Sequence, residues 1–249
     1  MSAERLLIAL DVENGARALQ LVSTLDGLAG GFKVGTRLFT LEGPGLVREI
    51  VARGARVFLD LKFHDIPNTV SQAVESAVQT GAWMINVHAS GGVPMMQGAV
   101  EAGRATAQRL GHAPPLLVAV TVLTSMDDAV LREVGVQRAM PDQVVALATM
   151  AQAAGMDGVV ASPQETAAIR SVCGDRFVIV TPGIRGAAAQ ARPDDQTRTM
   201  SPAEAVRAGA SYIVVGRPII DAPDPRAAAE AIANELRGGR SRGRSQSRG

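Results

Sequence analysis

The chain has 249 residues, 47% of them apolar and 20% charged, which suits one large globular domain. Its net charge of +1 conceals a Gly/Ser/Arg tail, 238–249, with four Arg and no acid, which leaves the rest of the chain at about −3 and excludes a nucleic-acid-binding domain by composition. No apolar run approaches the ~20 residues of a membrane-spanning helix, and the lone Cys173 excludes an internal disulfide or a cysteine-cluster metal site.

Strands are predicted near 5–11, 30–34, 56–62, 83–88, 115–122, 157–161, 176–181 and 211–215. Helices are predicted between and after them, near 14–26, 43–54, 67–80, 94–109, 141–154, 163–172, 201–208 and 224–236. The junctions RGARVFLDLK, TGAWMINVH, AGMDGVVAS and AGASYIVVG each place Gly where a helix ends, just before an apolar run. Near-continuous apolar strands alternating with amphipathic helices imply a parallel sheet covered by helices. Eight such units imply a (β/α)8 TIM barrel, a closed parallel eight-stranded sheet with outer helices, over residues 1–237. An open doubly wound sheet would carry a G-x-G-x-x-G turn after its first strand, and here that turn reads LDVENG. The tail, 238–249, has nothing to bury and is expected to be disordered. The opening MSAERLLIALD has no cleavable apolar region, so a reduced, cytoplasmic setting is expected.

In a barrel of this kind the chemistry sits at the C-terminal ends of the strands. The polar residues gather there: Asp11, Lys33, Asp60 with Lys62, His88, Thr124, Arg185 and Arg217. The chain has 23 Arg but only two Lys, Lys33 and Lys62. Lysine, unlike arginine, can give up a proton, so both positions are read as needing an ammonium and one as a proton donor.

In RVFLDLKFHDIPNT, strand alternation puts Asp60 and Lys62 on the face opposite Leu59 and Leu61, pointing into the barrel mouth. Asp65 follows just before Pro67, which suits the first turn of a helix. A lysine set between carboxylates keeps its proton and acts as a donor rather than a resting nucleophile. VTPGIR (180–185) and VVGRPI (214–219) follow the last two strands, where barrels frequently hold a phosphate. Gly183 and Gly216 permit close backbone approach, and Arg217 offers a bidentate cation. The long segment 183–200 between these loops reads as a lid, flanked by Arg185 and Gln196 as gripping groups. His88 is placed for a substrate or network contact. No spacing of His, Cys, Asp or Glu matches a transition-metal site, whereas Asp11 and Asp60 could share a carboxylate-bound Mg²⁺.

LIALDV, GFKVG, FLDLKFHDIPNTV, NVHASGG, VTVLTS, VTPGIR, DDQTRTMSP and YIVVGRPI together resemble the bacterial orotidine 5′-phosphate decarboxylases, in family order over roughly 5–220. The D-x-K-x-x-D core alone is shared with related sugar-phosphate lyases; its extension to DLKFHDIPNT, with TPGIR and VVGRPI, is much more specific. The resemblance implies cofactor-free, metal-free decarboxylation to UMP, with Lys62 protonating C6 and Asp60 lying against the substrate carboxylate. It further implies a homodimer in which Asp65 and Thr69 enter the partner's site. Asp11 and Lys33 would hold the ribose, and Thr124 would contact the base. Arg185, Gln196, Gly216 and Arg217 would surround the phosphate. The loop 186–192 and the tail have no specific match, and neither a membrane nor a specific nucleic acid is expected as a partner. The alternative is a Mg²⁺-dependent keto-sugar-phosphate lyase of the same barrel superfamily. Schiff-base chemistry at Lys62 and a non-catalytic nucleotide-binding or protein-binding barrel are the remaining readings.

Overall fold

The structure, a computed structural model, describes residues 3–184 and 200–238. Eight strands run in chain order around a closed parallel barrel: β1 (Leu6–Ala9), β2 (Gly31–Gly35), β3 (Val57–Phe63), β4 (Met84–His88), β5 (Leu116–Val120), β6 (Gly158–Val160), β7 (Val178–Thr181) and β8 (Tyr212–Val215). Closure is made by β1 on β8, with Leu7 opposite Val214. The expected barrel is therefore the observed one.

Strand alternation sorts the core into two shells. Leu6, Ile8, Val57 and Leu59 face outward into the buried layer beneath the helices. Leu7, Ala9, Phe58, Met84, Val118 and Val214 face inward and fill the barrel with side chains, so it is a packed core rather than a channel. The N-terminal end is closed by aromatics. The chain's one Trp and one Tyr, Trp83 and Tyr212, meet edge to face at 5.2 Å, with the Arg56 guanidinium 4.6 Å from the centre of the Trp83 ring. At the other end the inward positions turn polar, and the site lies there.

The outer layer comprises α1 (Gly15–Thr24), α2 (Thr36–Ala52), α3 (Pro67–Val78), α4 (Val93–Leu110), α5 (Asp128–Glu133), α6 (Met140–Ala153), α7 (Thr166–Cys173), α8 (Pro202–Arg207), α9 (Arg217–Ile220) and α10 (Pro225–Gly238). Local chemistry starts several of them. Asn14 caps α1 by accepting from the Arg17 N–H, and Ser201 with Glu204 forms a reciprocal capping box on α8. Pro67 opens α3, as expected.

Three helical features depart from the sequence reading. The helix expected over 43–54 begins earlier, at Thr36, and is broken at Gly43 (φ 67°) because Pro44 excludes the helical conformation from the residue before it. Helices α5 and α9 were not anticipated, since six and four residues are too few to display a period. Asp127 nonetheless caps α5 through the Ala129 and Val130 amides. Among the described residues, no helix is long and apolar enough to cross a membrane. The tail expected to be disordered lies, from residue 239 on, outside the described residues.

Gly158 marks the tightest strand contact relevant to closure: a Cβ there would lie 2.1 Å from the Val178 carbonyl oxygen. Gly158→Ala must therefore push β6 from β7, and a loss of about 1–3 kcal/mol is expected as a lower urea midpoint.

Candidate active site

The mouth of the barrel holds a chain of alternating charge. Lys33 Nζ donates to Asp11 Oδ1 at 3.0 Å and lies 3.5 Å from Asp60 Oδ2. Lys62 Nζ donates to Asp60 Oδ1 at 2.7 Å. Both of the chain's lysines thus converge on Asp60, a buried carboxylate with 8% of its surface exposed. Lys33 stands midway along β2, in register with Ala9 of β1 and Phe58 of β3, and Lys62 stands near the C-terminal end of β3.

Asp60 and Lys62 meet as expected, but regular alternation does not bring them together. The β3–β4 register runs Leu59 to Ile85 and then Phe63 to Val87, so Asp60, Leu61 and Lys62 stand opposite the single residue Asn86. Lys62 takes φ 54°, the one positive value among described residues other than glycine. Holding a lysine in that left-handed region costs about 1–3 kcal/mol and persists only where the surroundings impose it.

Asn86 was not singled out from the sequence, although NVHASGG contains it. Its side chain is fully buried, donates Nδ2–H to Asp60 Oδ1 at 2.7 Å, and accepts the Lys62 backbone N–H at 2.8 Å. The available signal was its even spacing from the inward-facing Met84 and His88 on one strand.

Gly35 makes room for this arrangement, and Gly216 stands beside it. A Cβ on Gly35 would lie 2.9 Å from Lys33 Nζ, and one on Gly216 would lie 3.5 Å from Asp11 Oδ2. The tighter neighbour at Gly216 is Ala9, whose Cβ would lie 3.3 Å from the added atom, whereas the distance to Asp11 is an ordinary contact. Arg217, exposed, opens α9 directly after it, and Gly183 (φ 78°) follows β7. Thr124 lies half-buried in the loop after β5. Arg185 and Gln196 lie outside the described residues.

Asp65 and Thr69 stand apart from the array. Both are exposed, and Asp65 accepts the Ile66 amide rather than pairing with Lys62 of its own chain. Ile66 beside them is 66% exposed, an apolar side chain left uncovered at the rim of the mouth.

Electrostatics separate the roles further. Burial alone opposes the charged form of Lys33, but Asp60 and then Asp11 more than offset it and hold its pKa above the ordinary lysine value. That ammonium occupies the space between Asp11 and Asp60, so a Mg²⁺ shared by the two carboxylates would have to displace it. Among the described residues no cluster of three or more His, Cys, Asp or Glu is placed to hold a metal ion. The opposite, N-terminal mouth carries a recess of about 630 Å³ lined by Arg5, Arg170, Asp175 and Tyr212. Arg170 there is committed to the carbonyls of Gly174, Phe177 and Gly209, so it fastens chain segments together and offers no reactive group.

His88 is pushed below the ordinary histidine value, first by burial and then by His64 and Lys62, with Asp60 acting the other way. Its ring centre lies 5.4 Å from that of His64. A histidine whose pKa falls on folding binds its proton more readily in the unfolded chain, so folding weakens as pH drops through 6.5. His88→Gln should therefore reduce the loss of stability between neutral and mildly acid pH. Urea unfolding of both proteins across that interval measures the difference, and identical slopes would assign the acid sensitivity elsewhere.

A family model described as the orotidine 5′-phosphate decarboxylase / HUMPS family matches residues 4–232. An orotidine 5′-phosphate decarboxylase of Moorella thermoacetica is 53% identical over 234 residues, spanning 94% of this chain and 92% of that protein. One from Legionella pneumophila is 48% identical over 232 residues, spanning 93% and 99%. The crystal structure of orotidine 5′-phosphate decarboxylase from Lactobacillus acidophilus superposes with a TM-score of 0.82 at 39% identity, covering 93% of this chain and 98% of that one. With the barrel, the charged array at its mouth and these relatives in agreement, the chain belongs to the orotidine 5′-phosphate decarboxylase / HUMPS family.

Proposed function

We infer that the chain decarboxylates orotidine 5′-phosphate to UMP and carbon dioxide, with Lys62 delivering the proton to C6. The observation that carries the assignment of roles is the 2.7 Å pair between Lys62 and the buried Asp60, backed by Lys33 and Asp11. In the reaction the bond from C6 to the carboxylate breaks, its electron pair stays on C6, and that carbon takes a proton from the Lys62 ammonium. The neutral amine then recovers a proton from solvent.

Such a carbanion is poorly stabilised by its ring, so the protein must supply preorganised charge where negative charge develops. Asp60 beside the departing carboxylate raises the ground state. At an effective dielectric of about 20, two charges ~4 Å apart repel by roughly 4 kcal/mol, which is only part of the barrier to be removed. The larger share falls to the Lys62 ammonium, already in place and needing no reorganisation. Asp11 and Lys33 hold the ribose and Thr124 contacts the base. Gly216, Arg217, Arg185 and Gln196 take the phosphate, whose binding energy positions a distant reacting carbon. No metal or organic cofactor has a part in this scheme, and the Mg²⁺-dependent lyase reading is not favoured because Lys33 fills the space between the two acids.

The exposed rim of Asp65, Ile66 and Thr69 supports a homodimer in which these side chains enter the partner's mouth and Asp65 completes the array around Lys62. A reducing cytoplasm suits a chain whose lone Cys173 is a buried free thiol.

Absorbance of orotidine 5′-phosphate with purified protein in excess chelator tests the reaction. Wild type should consume the orotate chromophore, and Lys62→Ala should lose about 10²–10⁴-fold or more in kcat. No consumption by wild type would overturn the reading, and sugar phosphates with Mg²⁺ would be tried next. The dimer is tested by mixing two inactive variants, Lys62→Ala and Asp65→Asn, under conditions that exchange subunits. A shared site predicts recovery of about a quarter of wild-type activity, because one site in each hybrid then has both native groups. No recovery despite proven exchange would place Asp65 outside the reaction.

A further inference from the structure

The bulge that brings Lys62 to Asp60 leaves a gap in the β3–β4 ladder, since three residues of β3 face one residue of β4. Asn86 is that residue. Its amide is fully buried and both of its ends are used, one on the Asp60 carboxylate at 2.7 Å and one on the Lys62 backbone amide at 2.8 Å. The backbone of β4 cannot reach the Lys62 N–H across a bulge, so the side chain makes the bond that the ladder would have made. The same oxygen of Asp60 that receives Lys62 Nζ also receives Asn86 Nδ2. One amide thus governs the backbone of the proton donor and the aim of its carboxylate.

We propose that Asn86 is a positioning residue for the reaction, fixing the left-handed backbone of Lys62 and the orientation of Asp60 without touching the substrate. The inference rests on Lys62 and Asp60 being the reacting pair. An asparagine suits the task because it offers a donor and an acceptor at fixed separation and no charge to disturb Lys33, Lys62, Asp60, Asp11 or the nearby His88. Aspartate is its near-isostere but lacks the donor when ionised. Protonated, it regains the donor while keeping the acceptor.

Two variants test the proposal against the wild-type enzyme, whose own turnover tests the reaction independently. Asn86→Ala should lower kcat by roughly 10²-fold, as misplacement of a reacting group does. Its affinity for the product UMP, held through ribose and phosphate, should change by no more than about threefold. Parallel losses of kcat, UMP affinity and melting temperature would overturn the proposal in favour of a general structural role. So would kcat within about threefold of wild type. If Asn86→Ala does not fold, Asn86→Asp decides. Its kcat relative to wild type should be low at neutral pH and climb as pH falls, by up to roughly tenfold per unit, as the introduced carboxyl takes a proton and donates to Asp60 again. A ratio independent of pH would overturn the proposal. Wild-type turnover with unaffected Asn86 variants would sink this inference alone, whereas absent wild-type turnover would sink the functional reading beneath it.

Discussion

Two ammonium groups and one amide converge on the Asp60 carboxylate, and the rest of the mouth is arranged around that convergence. Removing a carboxylate from water is costly unless its lone pairs are filled and its charge is matched. Here both oxygens are served: Oδ1 by Lys62 and Asn86, Oδ2 by the nearby Lys33. Lys33 in turn leans on Asp11, the most exposed member of the chain, so the charge is passed from the buried centre toward solvent. Such a network is a poor device for stability, since apolar packing fills a barrel mouth at less cost. Its retention is better explained by chemistry that needs charge held in place before the substrate arrives.

The barrel supplies what this network needs. Its interior is plugged by Leu7, Phe58, Met84 and Val118, and its N-terminal end is closed by Trp83 against Tyr212. That packing gives the charged layer a rigid, dry floor, in which each electrostatic interaction is stronger than in water. The same packing permits local strain. Lys62 holds a backbone conformation that lysine rarely adopts because β3 is pinned on both sides, by β2 through a regular register and by β4 through Asn86. Under the proposed reading, a phosphate held beyond the ends of β7 and β8 supplies binding energy far from the reacting carbon.

The lysine economy of the chain acquires a physical meaning in this setting. With 23 arginines present, the two lysines both stand beside Asp60. A guanidinium in place of Lys62 would be planar, larger and unable to release a proton, and one in place of Lys33 would be bulkier beside Gly35, where even an added Cβ would lie 2.9 Å from the ammonium. The composition thus pointed to the site before any motif was considered. Asp65 shows the opposite situation: its spacing from Lys62 suggests a local partnership, yet within the chain it turns to the Ile66 amide and the rim is left open.

The sequence by itself determined the order and kind of the elements, because strand and helix periods, glycine stops and prolines at helix starts act over a few residues. It also determined which residue types stand at the strand ends, and through the long block FLDLKFHDIPNTV the family. Helices α5 and α9 and the early start of α2 were not legible, since short or broken helices display no period. Only the tertiary structure decided how the charged residues are shared. The bonds from Asn86 to Asp60 and to Lys62 join residues 26 and 24 positions apart on neighbouring strands. Such contacts depend on strand register, and here the register slips at a bulge. A slip of this kind leaves the residue pattern of each strand unchanged while altering which atoms meet, so no reading of either strand alone could have revealed it.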